Sequence, residues 1–461
     1  MKSRTSLTSP RAAAISLILI VIGVPLMTLA YQSLRSGRSW SEIIRGMSGA
    51  QSPDPLAVTN SGDDSRLPAP PRGRFRRKTV GMPFQENPYI THVQAIDLDQ
   101  DGLLDIIVSD ARSNRVSWIR QESPGVFSER LISPAIIAPA RTQAFDIDQD
   151  GDLDVLIAGL GSLFPTNEKL GKVVILENMG DSSFTAHTIA TRLPRVADVR
   201  GGDFDGDGDM DLVVSQFGAE EGRTSWMENL GDWTFKDHPL LELSGNIHTI
   251  PIDLDGDGDL DLVSLISQEW EEIYAFINDG SGNFSHHLLY GSSNDDYGSS
   301  GISLADLDGD GDTDILYTNG DAFDYTPPLP RPWHGVQWLE NRGDLKFTFH
   351  RIIDYPGAYG SSPIDVDGDG DLDIVVVSSF NYWDNESAQS VIWLENNGEA
   401  SFLRHNITND PTHQITVSIG DFNNDGLPDL VTGGIHFYAP YDRIGRVTLW
   451  LNTGKDDVAK P

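Results

Sequence analysis

One nine-residue pattern recurs seven times along the chain, and that recurrence limits the fold more than any other feature. A D-x-D-x-D-G-x-x-D loop, or a near copy, begins at Asp97, Asp146, Asp203, Asp253, Asp306, Asp365 and Asp421. Successive starts lie 49, 57, 50, 53, 59 and 56 residues apart. Each copy sits in the same order of elements. A short strand enters the loop, as in HVQAI before Asp97, and an apolar strand leaves it, as in DIIVSD after Leu104. A loop of variable length follows, then a strand typified by VIWLENNG (391–398), then a strand with an F-x-x-H-x-I/L pattern such as Phe402/His405/Ile407. Four short antiparallel strands in a repeat of this length describe a propeller blade. Asn-x-Gly between the third and fourth strands suits a hairpin turn. β-branched strands broken by Gly, Asn and Asp exclude a helical solenoid.

The chain ends indicate closure. The seventh unit stops after VTLWLNTG (447–454) without a fourth strand, and the missing strand precedes the first unit, where Phe75 to Val80 repeats the outer-strand pattern with Lys78 in the histidine position. Residues 74–80 should therefore complete the last blade and hide the open edges of the ring. The expected fold is all-β, a seven-bladed β-propeller of four-stranded antiparallel blades, closed by an N-terminal strand and preceded by an N-terminal transmembrane or signal helix. The propeller should span 73–455, with 456–461 as a tail.

The loop spacing has a chemical reason. Calcium takes six to eight hard oxygen ligands. Carboxylates at alternate positions 1, 3 and 5 can turn inward around a tight loop. Glycine at position 6 permits the bend, position 7 offers its carbonyl, and position 9 adds a carboxylate. The first set is Asp97, Asp99, Asp101 and Asp105 with the Leu103 carbonyl. The second is Asp146, Asp148, Asp150 and Asp154 around Asp152; the third is Asp203, Asp205, Asp207 and Asp211 around Asp209. The fourth is Asp253, Asp255, Asp257 and Asp261 around Asp259; the fifth is Asp306, Asp308, Asp310 and Asp314 around Asp312. The sixth is Asp365, Asp367, Asp369 and Asp373 around Asp371. The seventh departs, with Asp421, Asn423, Asp425 and Asp429 around Leu427, and its missing charge marks it as the weakest. Seven copies in register with a strand repeat argue against ordinary solvated turns. Zinc prefers His and Cys, which the loops lack, and magnesium wants fewer protein ligands.

Composition agrees. The chain carries 33 Lys and Arg against 69 Asp and Glu, a formal charge of −36, which repels nucleic acid. Nearly half of those acids lie in the seven loops, where mutual repulsion should make the fold depend on a cation. The chain has no cysteine, so disulfides and thiolate chemistry are excluded.

At the N-terminus, Lys2, Arg4 and Arg11 precede an uncharged stretch, 12–31, just long enough to span a bilayer. It reads as an uncleaved anchor, with N-terminus inside, or as a signal peptide cut before Tyr31. Either places the remainder outside the cytoplasm, at the cell membrane or secreted. Residues 32–72, rich in Ser, Pro and Gly, form a tether in this reading.

Taken together, the D-x-D-x-D-G-x-x-D loops between strands and the W-L-E-N-x-G hairpins resemble the FG-GAP/VCBS repeat proteins, which include the calcium-binding propeller of integrin α-subunits. The resemblance covers about 74–454. It implies Ca2+ at the loop positions named above, on a lower face between the innermost and second strands. Metal loops in all seven units and poorly kept FG and GAP signatures depart from the integrin pattern, so no integrin partner is carried over.

Any partner-reading surface should then lie on the opposite face, in the loops between second and third strands. The richest are 319–335, with Phe323, Tyr325, Trp333 and His334; 380–387, with Tyr382, Trp383 and Asp384; and 433–445, with His436, Tyr438, Tyr441 and Arg443. Their aromatics either recognise a protein or glycan or pack over one another as a plug. The F-x-x-H histidines and the recurring Trp118, Trp226, Trp338 and Trp393 read as structural. His92 and His248, five residues before their loops, together with Arg141, His436 and Arg443, are the groups an enzyme would need, but no catalytic motif joins them. The leading expectation is a non-enzymatic interaction or adhesion module. Its alternatives are a lectin and a polysaccharide lyase or dehydratase.

Overall fold

A computed structural model describes residues 58–59, 73–398 and 400–454. The signal or anchor segment, most of the 32–72 tether and the 456–461 tail lie outside them. The described residues up to Ala322 and from Leu329 onward form one compact unit, and Phe323–Pro328 fall outside it. No helix long and apolar enough to cross a membrane occurs among the described residues.

The compact unit consists of seven antiparallel sheets. The innermost strands are Ile90–Ile96, Pro139–Phe145, Val196–Gly202, Asn246–Ile252, Gly301–Ala305, Ala358–Ile364 and Gln414–Gly420. Each leads through its Asp loop into a second strand beginning at the ninth loop residue, from Asp105–Asp110 in blade 1 to Asp429–Gly434 in blade 7. Ring closure is as the sequence implies: Phe75–Val80 pairs with the last strand in one unbroken register, Phe75 opposite Asn452 and Val80 opposite Val447. A two-residue strand, Val58–Thr59, adds to the outer edge of blade 1 opposite Glu129 and Ser128. The segment read from sequence as a pure tether therefore supplies a fifth strand there.

The second strands explain the core. All six residues of Asp105–Asp110, Asp154–Gly159 and Asp373–Ser378 are buried, because each sheet packs against a neighbour on both faces. Both sides must then be small, apolar or hydrogen-bonded, which gives the near-continuous Val/Ile/Leu runs. The core is accordingly a ring of interblade layers. Leu98, Ile107 and Trp118 meet Val155, Ile157 and Leu176 between blades 1 and 2, and Val93, Ile106 and Ile119 meet Phe422, Val431 and Leu449 across the closing seam. Trp118, Trp226, Trp338 and Trp393 are at most 5% exposed and lie in these layers. Each such aromatic contributes about 1.5–3 kcal/mol by leaving water.

The outer histidines are structural. His187, His238 and His350 each place Nε2 2.7 Å from Glu177, Glu228 and Glu340 of the adjacent strand, and His405 does the same with Glu395 at 2.5 Å. His238, His350 and His405 also stack on Trp226, Trp338 and Trp393 of their own blades.

Candidate metal centres and the opposite face

Each Asp loop is shaped by its own backbone. Glycine at position 6 takes a left-handed conformation that a side chain would strain, with φ of 98° at Gly151 and 100° at Gly258. Its N–H donates to Oδ2 of the first aspartate, at 3.1 Å for both Gly151 to Asp146 and Gly258 to Asp253. The N–H at position 7 donates to Oδ1 at position 5, as Asp152 does to Asp150 at 2.9 Å.

The ninth residue has a second role that its spacing did not reveal. Asp154 is fully buried; Oδ2 accepts from the Ile147 N–H at 3.0 Å and Oδ1 from the Asn178 N–H at 2.7 Å. The same double clasp recurs at Asp105, Asp211, Asp261, Asp314, Asp373 and Asp429, each tying the start of its loop to the third strand of its blade. Burial pushes the carboxyls of Asp105, Asp154 and Asp211 up to about 7 despite these bonds, and those of Asp314, Asp373 and Asp429 to about 6.

Positions 1, 3 and 9 converge. In loops two to five the groups are Asp146, Asp148 and Asp154; Asp203, Asp205 and Asp211; Asp253, Asp255 and Asp261; and Asp306, Asp308 and Asp314. In each, one oxygen per residue lies within 4.8 Å of the others. That is the span across the coordination sphere of an ion held by oxygens at roughly 2.3–2.6 Å. Asp146 Oδ1 is buried with no hydrogen-bond partner, the state of an acceptor aimed at a cation. Position 3 is strained electrostatically: burial first, then the neighbouring position-5 carboxylate, raises Asp148, Asp308 and Asp367. The donor set is all hard oxygen and fits a calcium-sized ion. Position 5, expected as a full member, stands outside the converging oxygens of loops two to five and serves the turn instead.

Two loops depart from this pattern. In the seventh, Asn423 turns its amide toward Asp425, donating from Nδ2 to Oδ2 at 3.0 Å. In the first, the converging oxygens belong to Asp97, Asp99 and Asp101, and Arg120 reaches in among them.

Residues 97–157, 253–317 and 365–432 match the FG-GAP-like repeat. These stretches begin at the first, fourth and sixth Asp loops, and each runs through the next Asp loop into the second strand of the following blade. The chain carries FG-GAP-like repeats, and its seven-bladed propeller fits an FG-GAP repeat protein. Blade 3, whose Asp loop lies outside the matches, carries the same loop, clasp and hairpin, so the unit recurs around the whole ring.

On the opposite face of this FG-GAP propeller, the aromatic loops are mostly closed. Trp383, expected as a ligand contact, is 8% exposed and donates from Nε1 to the Ser379 carbonyl at 3.2 Å. His436 is fully buried and donates from Nε2 to the Gly445 carbonyl at 2.8 Å; burial lowers its ring to about 4. Arg443 is buried against Asp410 at 2.5 Å. Tyr441 donates to the Phe437 carbonyl at 2.9 Å, and Trp333 donates to that of Asp296 at 3.0 Å. These loops lack regular backbone pairing, and their side chains supply the partners the backbone needs. Tyr382, at 56% exposed, is the one that stays open, and Tyr438 is half-buried against Phe437. A different aromatic group spans blades 1, 2 and 7. Phe437 meets Tyr89 at 4.3 Å and Phe164 at 5.9 Å, and Phe164 is 52% exposed.

The remaining polar residues do not form one cleft. Arg141 and His248 come together, 3.2 Å apart, on the inner strands of blades 2 and 4. They share Asp198, which the sequence did not single out. Its Oδ2 lies 3.2 Å from His248 and accepts from Arg200 Nε at 3.1 Å. Burial alone would raise Asp198, but Arg200 and Arg141 hold it well below the usual carboxylate range. Burial first, then Arg141, lowers His248 to about 4. His92 turns instead to Thr142, at 3.2 Å. His436 and Arg443 belong to the loop packing described above.

Proposed function

We propose that this FG-GAP propeller is an exported, calcium-stabilised interaction module that engages a protein partner on the face opposite its metal loops. The observation carrying the reading is the convergence of three carboxylate oxygens within 4.8 Å in each of loops two to five. Such clusters are costly without a cation and stabilising with one. The family supports an interaction or adhesion role in general. Two features favour protein recognition: the sealing of the long aromatic loops, and the half-open Tyr89–Phe437–Phe164 group across three blades. The uncharged segment 12–31 supports export, with anchoring at the cell membrane.

Thermal unfolding of the full chain with millimolar calcium, and again after chelation, tests the metal claim. The melting temperature should fall by several degrees on chelation and return with calcium but not with magnesium. An unchanged curve would sink the reading.

A further inference from the structure

The third strands carry a motif whose third letter decides what faces the loop. It reads Trp226-Met-Glu228-Asn229 in blade 3, Trp338-Leu-Glu340-Asn341 in blade 5 and Trp393-Leu-Glu395-Asn396 in blade 6. Blade 2 keeps the glutamate as Glu177, and blades 4 and 7 have Ile277 and Leu451 there. Blade 1 reads Trp118-Ile-Arg120-Gln121. The register is common to all: Gln121 makes the clasp to Asp105 that Asn229 makes to Asp211. Arg120 therefore stands where four blades add negative charge beside position 3.

Its guanidinium points into the loop. Nε lies 2.6 Å from Asp99 Oδ2, a close ionic contact, and Nη2 donates to Asp101 Oδ2 at 3.2 Å. Nη1 reaches Glu122 Oε2 at 3.5 Å. One cation thus spans positions 3 and 5. One further difference falls in the same loop: position 7 is Leu103 where loops two to six have aspartate. The tie from Gln100 Nε2 to the Gly151 carbonyl of the next loop, at 2.7 Å, is shared with the second loop, where Gln149 reaches Gly208. The first loop thus differs from loops two to six in having one acid fewer and a resident positive charge.

We propose that Arg120 is the built-in cation of the first loop, which consequently takes no calcium while other loops do. A divalent ion bound to Asp99 would sit within a few ångströms of the guanidinium and would have to displace it. The inference rests on the calcium reading of the other loops, and its test separates the two.

Calcium bound per chain is measured on the purified full-length protein, by elemental analysis after equilibrium dialysis at fixed free calcium, for wild type, Arg120→Gln and Arg120→Lys. Arg120→Gln should bind one ion more than wild type, and Arg120→Lys should match wild type. Asp99→Asn in an otherwise wild-type chain should leave the count unchanged, whereas Asp205→Asn in blade 3 should lower it by one. These two variants decide the matter if Arg120→Gln fails to fold. A count that falls on Asp99→Asn, or an Arg120→Gln count equal to a non-zero wild-type count, would overturn the role of Arg120 alone. No bound calcium in any variant would overturn the metal reading and this inference together.

Discussion

Asn278 of blade 4 donates from Nδ2 to the Phe204 carbonyl of blade 3, 2.8 Å away, and also to the Leu260 carbonyl of its own loop at 3.1 Å. Phe204 is the second residue of the third Asp loop and Leu260 the eighth of the fourth. One side chain thus pins two successive loops to each other. Asn396 does the same to Leu307 and Leu372, and Asn452 reaches Val366 at 3.0 Å. The asparagine of the hairpin motif is therefore an interblade link as well as a turn residue.

Replacing Asn278 with Ala should accordingly cost more than a turn residue would. Two carbonyls lose a buried donor, worth about 1–3 kcal/mol together. Asn283→Ala, on the exposed end of the same hairpin, should change stability by at most about 0.5 kcal/mol. Chemical denaturation at fixed calcium compares the two. Equal effects would show that the interblade bonds contribute nothing.

The closing seam rests on a buried ion pair. Arg446 of blade 7 donates to Glu129 of blade 1 through Nη1 at 2.8 Å and Nη2 at 2.7 Å. Glu129 also accepts from the Met82 N–H at 2.6 Å, just after the closing strand. Both side chains are at most 7% exposed. Arg446→Met leaves Glu129, and also Asp110 3.7 Å from Arg446 Nε, buried without their cation, with a cost of about 3–5 kcal/mol. Adding Glu129→Met should recover part of the loss, with Asp110 left uncompensated. Denaturation midpoints of the single and double variants check this; a double variant no better than the single one would contradict it.

The ring and its loops were legible because their signals repeat. Seven Asp patterns in register expose a period, and Phe75–Val80 reveals closure because it duplicates a pattern missing at the other end. What escaped lies where function of a residue depends on a partner distant in sequence. Asp154 satisfies the spacing of a metal ligand, yet its clasp is visible only once Asn178 is beside it. Arg120 could have been found by aligning Trp118-Ile-Arg-Gln with the other third strands. Asp198 could not, since its partners Arg141 and His248 come from blades either side of it. The upper loops were the least readable: Trp383 and Tyr382 are neighbours in sequence, and only packing decides which is covered.

That pair gives a direct test. Trp383 fills a buried site beside His413, ring centroids 5.4 Å apart, while Tyr382 projects into solvent. Trp383→Ala should destabilise the propeller by about 3–5 kcal/mol, and Tyr382→Ala should stay within about 0.5 kcal/mol. Thermal or chemical unfolding reads both. A tolerated Trp383→Ala would reopen that loop as a binding surface.

Glu271 gives the propeller a pH dependence independent of its metal loops. It is 3% exposed, and it accepts from the Gly298 N–H at 3.1 Å, the Ser299 N–H at 3.0 Å and the Ser299 hydroxyl, itself paired with Tyr317. Burial outweighs these bonds and pushes the carboxyl from 4.5 up to about 7. A carboxyl raised in the folded state contributes stability that is complete below its unfolded value and is lost as pH rises through its folded one. The window is therefore about pH 4.5 to 7, and the loss across it is about 3 kcal/mol. Glu271→Gln resembles the protonated group at every pH. Its stability relative to wild type should rise from near zero at about pH 4 toward that amount at about pH 8. Both proteins are compared at the same saturating calcium, so titration in the Asp loops cancels from the difference. A difference that stays flat with pH would show that Glu271 remains ionised in the fold.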